Sequence, residues 1–369
     1  SIPSSTNGTV YTEPITIDNE MQLTFVLIKD GKYASNISSQ YYTIQYYMDE
    51  SYFTINDSGV ITSYTGDKNN IIVPDTINGI VPLNINADDM EGSKLTAVVL
   101  PDSVERIQNT FRDCAELKYV TAKGVTRIDA AFRNCYSLRT ASMPKLSLIN
   151  SRAFSMCSMM HDIDFEESVE TALGGTFEYT GLLEVSFPKL YIKNSPREIF
   201  RNTPLLKCDI PLAERLAATF RECYFLQELN APNLKRVDGF TFADCWFLTE
   251  MDFPSLETIE PNAFAYCYID VLYAPKLTTY SNLGGGYGIV LQAFTRVIDF
   301  PALTEMPTYF LMSSYVEEVY LENVVDVPVF GMLNLPYLNV VYMPLATQFD
   351  ITSDRHWQLP GVGPMEIIW

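Results

Sequence analysis

The chain has 369 residues, 47% of them hydrophobic and 13% aromatic, enough to bury a large core. Its formal charge of -20 argues against nucleic acid and against anionic membrane surfaces as partners, because neutralising phosphates needs clustered Lys and Arg. No uninterrupted run of about 18 apolar residues exists, so no membrane span is expected.

The first segment, SIPSSTNGTVYTEP, reads as a flexible leader. The chain opens on Ser1 rather than Met, so the expectation is that an upstream segment was removed and that it served to anchor the protein. Met21, Leu23, Phe25 and Leu27 then alternate as a strand ending at Asp30-Gly31, and a second run, YYTIQYYM, follows. So short a stretch makes a poor independent core. Residues 1–48 are therefore expected to form a β cap over the open end of what comes next. FTINDSGVITSYTG reads as a hairpin turning at Asp57 to Gly59, and IIVPDTINGIVPLNINADDM as an irregular first repeat.

From there to about residue 352 the chain repeats itself. Aligned on the apolar residue before a recurring proline, the series runs Leu100, Ala122, Met143, Phe165, Phe187, Ile210, Ala231, Phe253, Ala274, Phe300, Leu321 and Met343. The steps are 21 to 23 residues, with one of 26, and proline follows in nine of the twelve units. A phenylalanine series keeps the same beat: Phe111, Phe132, Phe154, Phe177, Phe200, Phe220, Phe242, Phe264, Phe310, Phe330 and Phe349. Repeats of this length bury their apolar face only against their neighbours, which makes a solenoid.

One unit shows the local logic. In LTEMDFPSLETIEPNAFAYC, from Leu248 to Cys267, the first half alternates apolar and polar residues and stops at Pro254, as a short half-buried strand does. The second half places Leu256, Ile259, Ala263, Phe264 and Cys267 at a looser spacing, that of a helical or 3₁₀ turn. Each unit is thus expected to be one strand plus one return segment. The strands should stack about 4.8 Å apart in one parallel sheet, with Phe, Ile and Cys ladders inside. The tail HWQLPGVGPMEIIW, within 353–369, holds two of the three tryptophans and is expected to cap the last rung.

These residues resemble the BspA-type (Treponema-type) leucine-rich repeats of bacterial surface proteins. Leu248, Met251, Phe253, Pro254, Leu256, Ile259, Ala263, Phe264 and Cys267 follow that consensus, as do Leu95, Val98, Leu100, Pro101, Val104, Ile107, Phe111 and Cys114. The resemblance runs from about Tyr52 to Phe349. It implies an α/β leucine-rich-repeat solenoid with a parallel sheet of about twelve rungs over 49–352 and terminal β caps. It also implies a secreted or surface-anchored protein of a host-associated bacterium, some members being adhesins for host matrix proteins or other bacteria. Rungs 9 to 12 depart from the pattern, losing the cysteine and gaining SNLGGGYGIVLQ.

Chemistry finds little foothold. Cys114, Cys135, Cys157, Cys223, Cys245 and Cys267 share one repeat position, which Thr180 and Thr203 fill in two rungs, and Cys208 takes the strand position of Met251. In-register side chains point the same way, so free buried thiols are expected rather than disulfides, and no CxxC pair starts a zinc site. His161 and His356 lie far apart. His161 in HDID leaves room for a base or a mixed metal site beside Asp162 and Asp164, although a solvated histidine at a strand edge is the simpler reading. GGGYG at Gly284 to Gly288 lacks the lysine and helix of a phosphate loop. The expectation is a non-enzymatic protein without metal or cofactor.

What remains is the sheet face. Side chains one and three positions before the alignment residue should point outward. Of these 24 positions nine are acidic and one is basic, so the face is zoned. Asp162, Asp164, Glu184, Asp209, Glu228, Glu250 and Asp252 crowd rungs 4 to 8, and Tyr273, Tyr320 and Tyr342 stand among valines in rungs 9 to 12. These ten are the candidate ligand-binding residues. Crowded carboxylates should show raised pKa values or attract cations, through a basic protein patch or bridging calcium. The expected role is a surface recognition or adhesion scaffold for a host or bacterial surface protein. Glycan capture on the tyrosines and a structural envelope role are the alternatives, and the tail with Trp357 and Trp369 could instead fold over the tyrosine rungs.

Overall fold

A computed structural model describes residues 46–192, 196–248, 250–280, 288–290, 292–306, 309–312, 315–328, 331–333 and 335–349, with strand segments 21–25, 28–29, 32–33, 38–42 and 366–368. The alternating half of each unit forms the strand its pattern dictates, and neighbouring units pair in parallel and in register. Ala97 lies opposite Tyr119, Tyr119 opposite Thr140, and Thr140 opposite Asp162. Twelve such strands, from Ala97–Val99 to Val340–Tyr342, make one face of a β-solenoid.

Among the described residues the hydrogen bonding of that face runs in three stretches rather than one continuous sheet. Six strands extend from Tyr46–Tyr47 to Asp162–Ile163, three from Glu184–Ser186 to Glu228–Asn230, and six from Glu250–Asp252 to Glu366–Ile368. The first interruption has a visible cause. In regular rungs the amide of the alignment residue donates to the next rung's backbone, as Leu100 does to the Thr121 carbonyl at 2.8 Å. At Met143 the acceptor is the Asp164 carboxylate, at 2.7 Å, and one rung on the Ser186 amide donates to the Glu166 carboxylate at 2.9 Å. Glu166 stands where most units have proline.

A second parallel sheet, not expected from the repeat pattern, lines another side of the solenoid. It forms at the isoleucine position, in Asn84–Ile85, Arg106–Gln108, Arg127–Asp129, Leu148–Ile149 and Thr171–Ala172, and resumes at Arg215–Leu216, Arg236–Val237, Thr258–Ile259 and Thr279–Tyr280. Most units therefore contribute two strands and a return. The return is built of turns, and no α-helix forms among the described residues; only Glu50–Tyr52 and Asp88–Met90 are 3₁₀ turns. Two left-handed residues bracket each ladder phenylalanine from Phe111 to Phe264, Asn109 and Asp113 around the first, Asn262 and Tyr266 around the last. That bend aims the intervening amides along the solenoid axis. Phe111 N–H reaches the Ala131 carbonyl at 3.1 Å and Phe132 N–H the Ala153 carbonyl at 2.9 Å. The third side is thereby bonded rung to rung as well.

Inside, eight phenylalanine rings from Phe111 to Phe264 stack at 5.0 to 5.7 Å, within 11° of parallel. Phe310 is buried too, while the side chains of Phe330 and Phe349 lie outside the described residues. All seven cysteines are free and buried. The ladder thiols satisfy carbonyls: Cys135 donates to Phe111 O at 2.9 Å, Cys157 to Phe132 O at 3.1 Å and Cys223 to Phe200 O at 2.9 Å. Thr180 and Thr203 serve the phenylalanine carbonyl of their own rung instead, at 2.9 and 2.7 Å.

At the start, Phe53–Ile55 and Val60–Tyr64 form the expected hairpin. Asn56 Oδ1 accepts from Ser58 N and Val60 N across its turn, and Gly59 sits at φ +73°, where a Cβ would meet Val81 O at 2.9 Å. The irregular first repeat supplies Asn70–Ile72 and Asn84–Ile85, carrying both sheets through it. Before it, Met21–Phe25 pairs antiparallel with Ser38–Tyr42. At the other end Glu366–Ile368 adds edge-on to Val340–Tyr342, Val340 opposite Glu366. The two C-terminal tryptophans and the cluster Gly284 to Tyr287 lie outside the described residues.

Candidate functional site

The sheet face is the surface on which strand geometry displays side chains at will. Its middle positions, Val98, Val120, Val185, Cys208, Met251, Leu272 and Val319, are buried, so the flanking positions point outward as period two requires. The candidate residues fall into two ordered columns. Glu184, Lys207 and Glu228 lie opposite one another, as do Ser186, Asp209 and Asn230. Asp252, Tyr273, Asp299, Tyr320 and Tyr342 continue the second column.

Where the first sheet interruption opens the face, a shallow depression of about 400 Å³ forms, lined by Glu166, Glu184, Lys207, Asp209, Glu228 and Asn230 over a floor that includes Val185 and Cys208. Three predicted residues, Glu184, Asp209 and Glu228, meet here. Asp209 is held from both sides, by Ser186 Oγ at 2.8 Å and Asn230 Nδ2 at 2.7 Å. Lys207 Nζ lies 2.9 Å from Glu228, which lifts its pKa through the hydrogen bond and charge of that carboxylate, with Glu184 adding to it. Burial pushes the Glu166 carboxyl up, opposed by the Ser186 amide and reinforced by Glu167.

The other candidates are placed differently. Asp164 spends its carboxylate on Met143 N and, at 2.6 Å, Ser142 Oγ, so it holds the rung together. Asp252 and Tyr273 are exposed. Tyr320 donates to Glu318 Oε2 at 2.8 Å and packs 6.2 Å from the half-buried Tyr342. Asp162 and Glu250 sit on their strands with side chains outside the described set. Burial raises the Asp299 carboxyl, with Glu322 second, so lost hydration outweighs like-charge crowding in the shifts that do occur.

His161 is exposed, and its neighbour Asp164 turns away to Met143; among the described residues no group of three or more His, Cys, Asp or Glu could hold a metal ion. The thiols are far from ionising, since burial pushes Cys223 up to about 11 and the others in the same direction. No described helix is long and apolar enough to cross a membrane. On the second sheet, cations are matched with anions in a repeating bracket, Arg127 and Arg106 on Asp129, Arg236 and Arg215 on Asp238.

A row of rings was missed by reading only two outward positions per strand. Six residues before the alignment position, Phe225, Phe247, Tyr268, Phe294, Tyr315 and Tyr337 occupy six successive rungs, each 37% to 52% exposed. The signal was available, because Glu116, Ser137 and Met159 fill the same column earlier and aromatics take it over from rung 7.

A profile of the BspA type leucine rich repeat region matches residues 84–207 and 184–270, in six copies. Among solved structures, a leucine-rich repeat protein of T. pallidum is 23% identical over 54% of this chain and 89% of its own, with a TM-score of 0.40. A leucine-rich repeat protein from Bacteroides ovatus is 17% identical over 82% and 89%, TM-score 0.37. The pneumococcal vaccine antigen PcpA is 15% identical over 82% and 74%, TM-score 0.42. A search of curated proteins found no match.

Proposed function

The chain belongs to the BspA-type leucine-rich repeat family, and from that premise we propose that it is a non-enzymatic recognition or adhesion scaffold at a bacterial surface, binding a protein partner through its sheet face. The observation that carries this reading is the ordered display itself. A rigid, in-register face sets carboxylates around the depression at rungs 5 to 7 and tyrosines at rungs 9 to 12, while the buried groups are spent on structure. Carboxylate columns steer a basic partner, and aromatic side chains supply contact area at little entropic cost.

The test is surface plasmon resonance of immobilised host matrix proteins, run beside a glycan array. Glu184→Gln with Asp252→Asn keeps shape and removes charge. Association should slow by roughly three- to tenfold and lose much of its salt dependence. Tyr320→Ala with Tyr342→Ala should raise dissociation. Binding unchanged by both variants would move the site off this face, and glycan signals without protein signals would replace the partner class.

A further inference from the structure

The row of exposed rings has no part in the reading just given, yet its geometry is more specific than that of the tyrosine column. Phe294 lies on Tyr315 at 4.1 Å and 4°, Tyr315 on Tyr337 at 5.1 Å, Tyr268 on Phe294 at 6.2 Å and Phe225 on Phe247 at 6.1 Å. In-register rings stacked this way turn their faces along the solenoid axis onto one another. Their rims point to solvent.

That orientation selects among ligands. Sugars and ammonium groups need an open aromatic face, which stacking covers for the rings inside the longer stack, Phe294 and Tyr315. A rim carries the positive edge of the ring quadrupole and suits apolar side chains and the faces of other aromatics. Carboxylates run beside the row, Asp270 after Tyr268 and Glu317 and Glu318 after Tyr315 on the same strands, and Glu228 on the strand that follows the turn at Phe225. Two cations lie among these four carboxylates and are already matched, Arg296 to Asp270 at 2.6 Å and Lys207 to Glu228 at 2.9 Å, so negative charge stays in excess along the row. A second copy of a chain of charge -20 meets like charge here, whereas a basic segment meets its complement.

We propose that this row is an affinity-bearing contact for a basic polypeptide segment with interspersed apolar side chains, which lie on the ring rims while Lys or Arg meet the excess negative charge beside the row, Glu317 foremost. The proposal rests on the protein-recognition reading and names the chemistry of its partner. Six rungs span about 24 Å, the length of roughly seven extended residues.

The experiment uses the full chain and two synthetic peptides of about twelve residues, alternating Lys-Leu and alternating Lys-Gly, titrated by calorimetry. The Lys-Leu peptide should bind roughly tenfold tighter or better, as hydrophobic anchors in a contact patch do. The double variant Phe294→Ser, Tyr315→Ser should erase that preference while leaving the shared charge-driven binding. Phe225→Ser with Phe247→Ser, in the separate stack, repeats the test should the first variant melt early. Equal affinity of the two peptides, no binding of either, or a preference that survives both variants overturns the proposal. So does chito-oligosaccharide binding that the variants remove, or self-association that they abolish. Matrix-protein binding that survives the row variants but falls with Tyr320→Ala would leave the recognition reading standing and sink the row alone.

Discussion

At the scale of single residues, Glu166 and Asp164 show a side chain doing a carbonyl's work. Each carboxylate accepts a strand amide that the sheet would otherwise bond, and Glu166 does so with its carboxyl raised chiefly by burial. A carboxyl whose folded pKa is raised contributes stability that is fully present below its unfolded pKa and lost as pH rises through the folded value. At neutral pH the ionised Glu166 is therefore a cost. Glu166→Gln keeps an acceptor for Ser186 N without the charge, so it should melt higher than the parent at pH 7. The gap should close as pH falls through the carboxylate range. A variant that melts lower at pH 7 would mean the charge-assisted bond to the amide outweighs the lost hydration.

At the scale of elements, the cysteine ladder from Cys135 to Cys267 is a set of donors matched to the phenylalanine carbonyls of the preceding rung. Cys157→Ala would remove one of two hydrogen bonds to the Phe132 carbonyl, which keeps that from Cys135 N at 3.1 Å, and would open a small void in a site with no exposed area. The expected cost is about 1–3 kcal/mol by denaturant unfolding. Cys157→Thr should cost less, since Thr180 and Thr203 bond a carbonyl from the same position; equal losses would show that volume alone matters. These ladders were legible because the phenylalanine and cysteine positions repeat over many rungs. The second sheet was not, because its alternation lasts only two or three residues, as in Arg127–Asp129, too few to separate from a turn. Asp164 looked like a ligand-facing acid for a related reason, since spacing gives the face a residue occupies and not the amide its carboxylate meets. The aromatic row lay outside the two outward positions counted per strand, although its column keeps the same register as the rest.

At the scale of the whole molecule, a parallel stack has two open ends, and each described end carries one more strand, Tyr46–Tyr47 against Asn70–Ile72 and Glu366–Ile368 against Val340–Tyr342. We propose that residues 1–48 and 353–369 act as caps. Deleting 1–48 would bare the edge of Asn70–Ile72, and light scattering should then report association or a loss of cooperative melting; an unchanged profile would make the segment a dispensable tether. The three-sided bonding from rung to rung has a mechanical corollary. Its hydrogen bonds lie along the solenoid axis, so tension between the two ends loads them in peeling, one rung after another, rather than in shear across the whole stack. Each rung set free releases about 70 Å of slack at roughly 3.3 Å per residue. Under a pull the molecule would lengthen in a sawtooth of such steps, a series that optical tweezers can count, and a bond held through it would feel a limited force over a long travel.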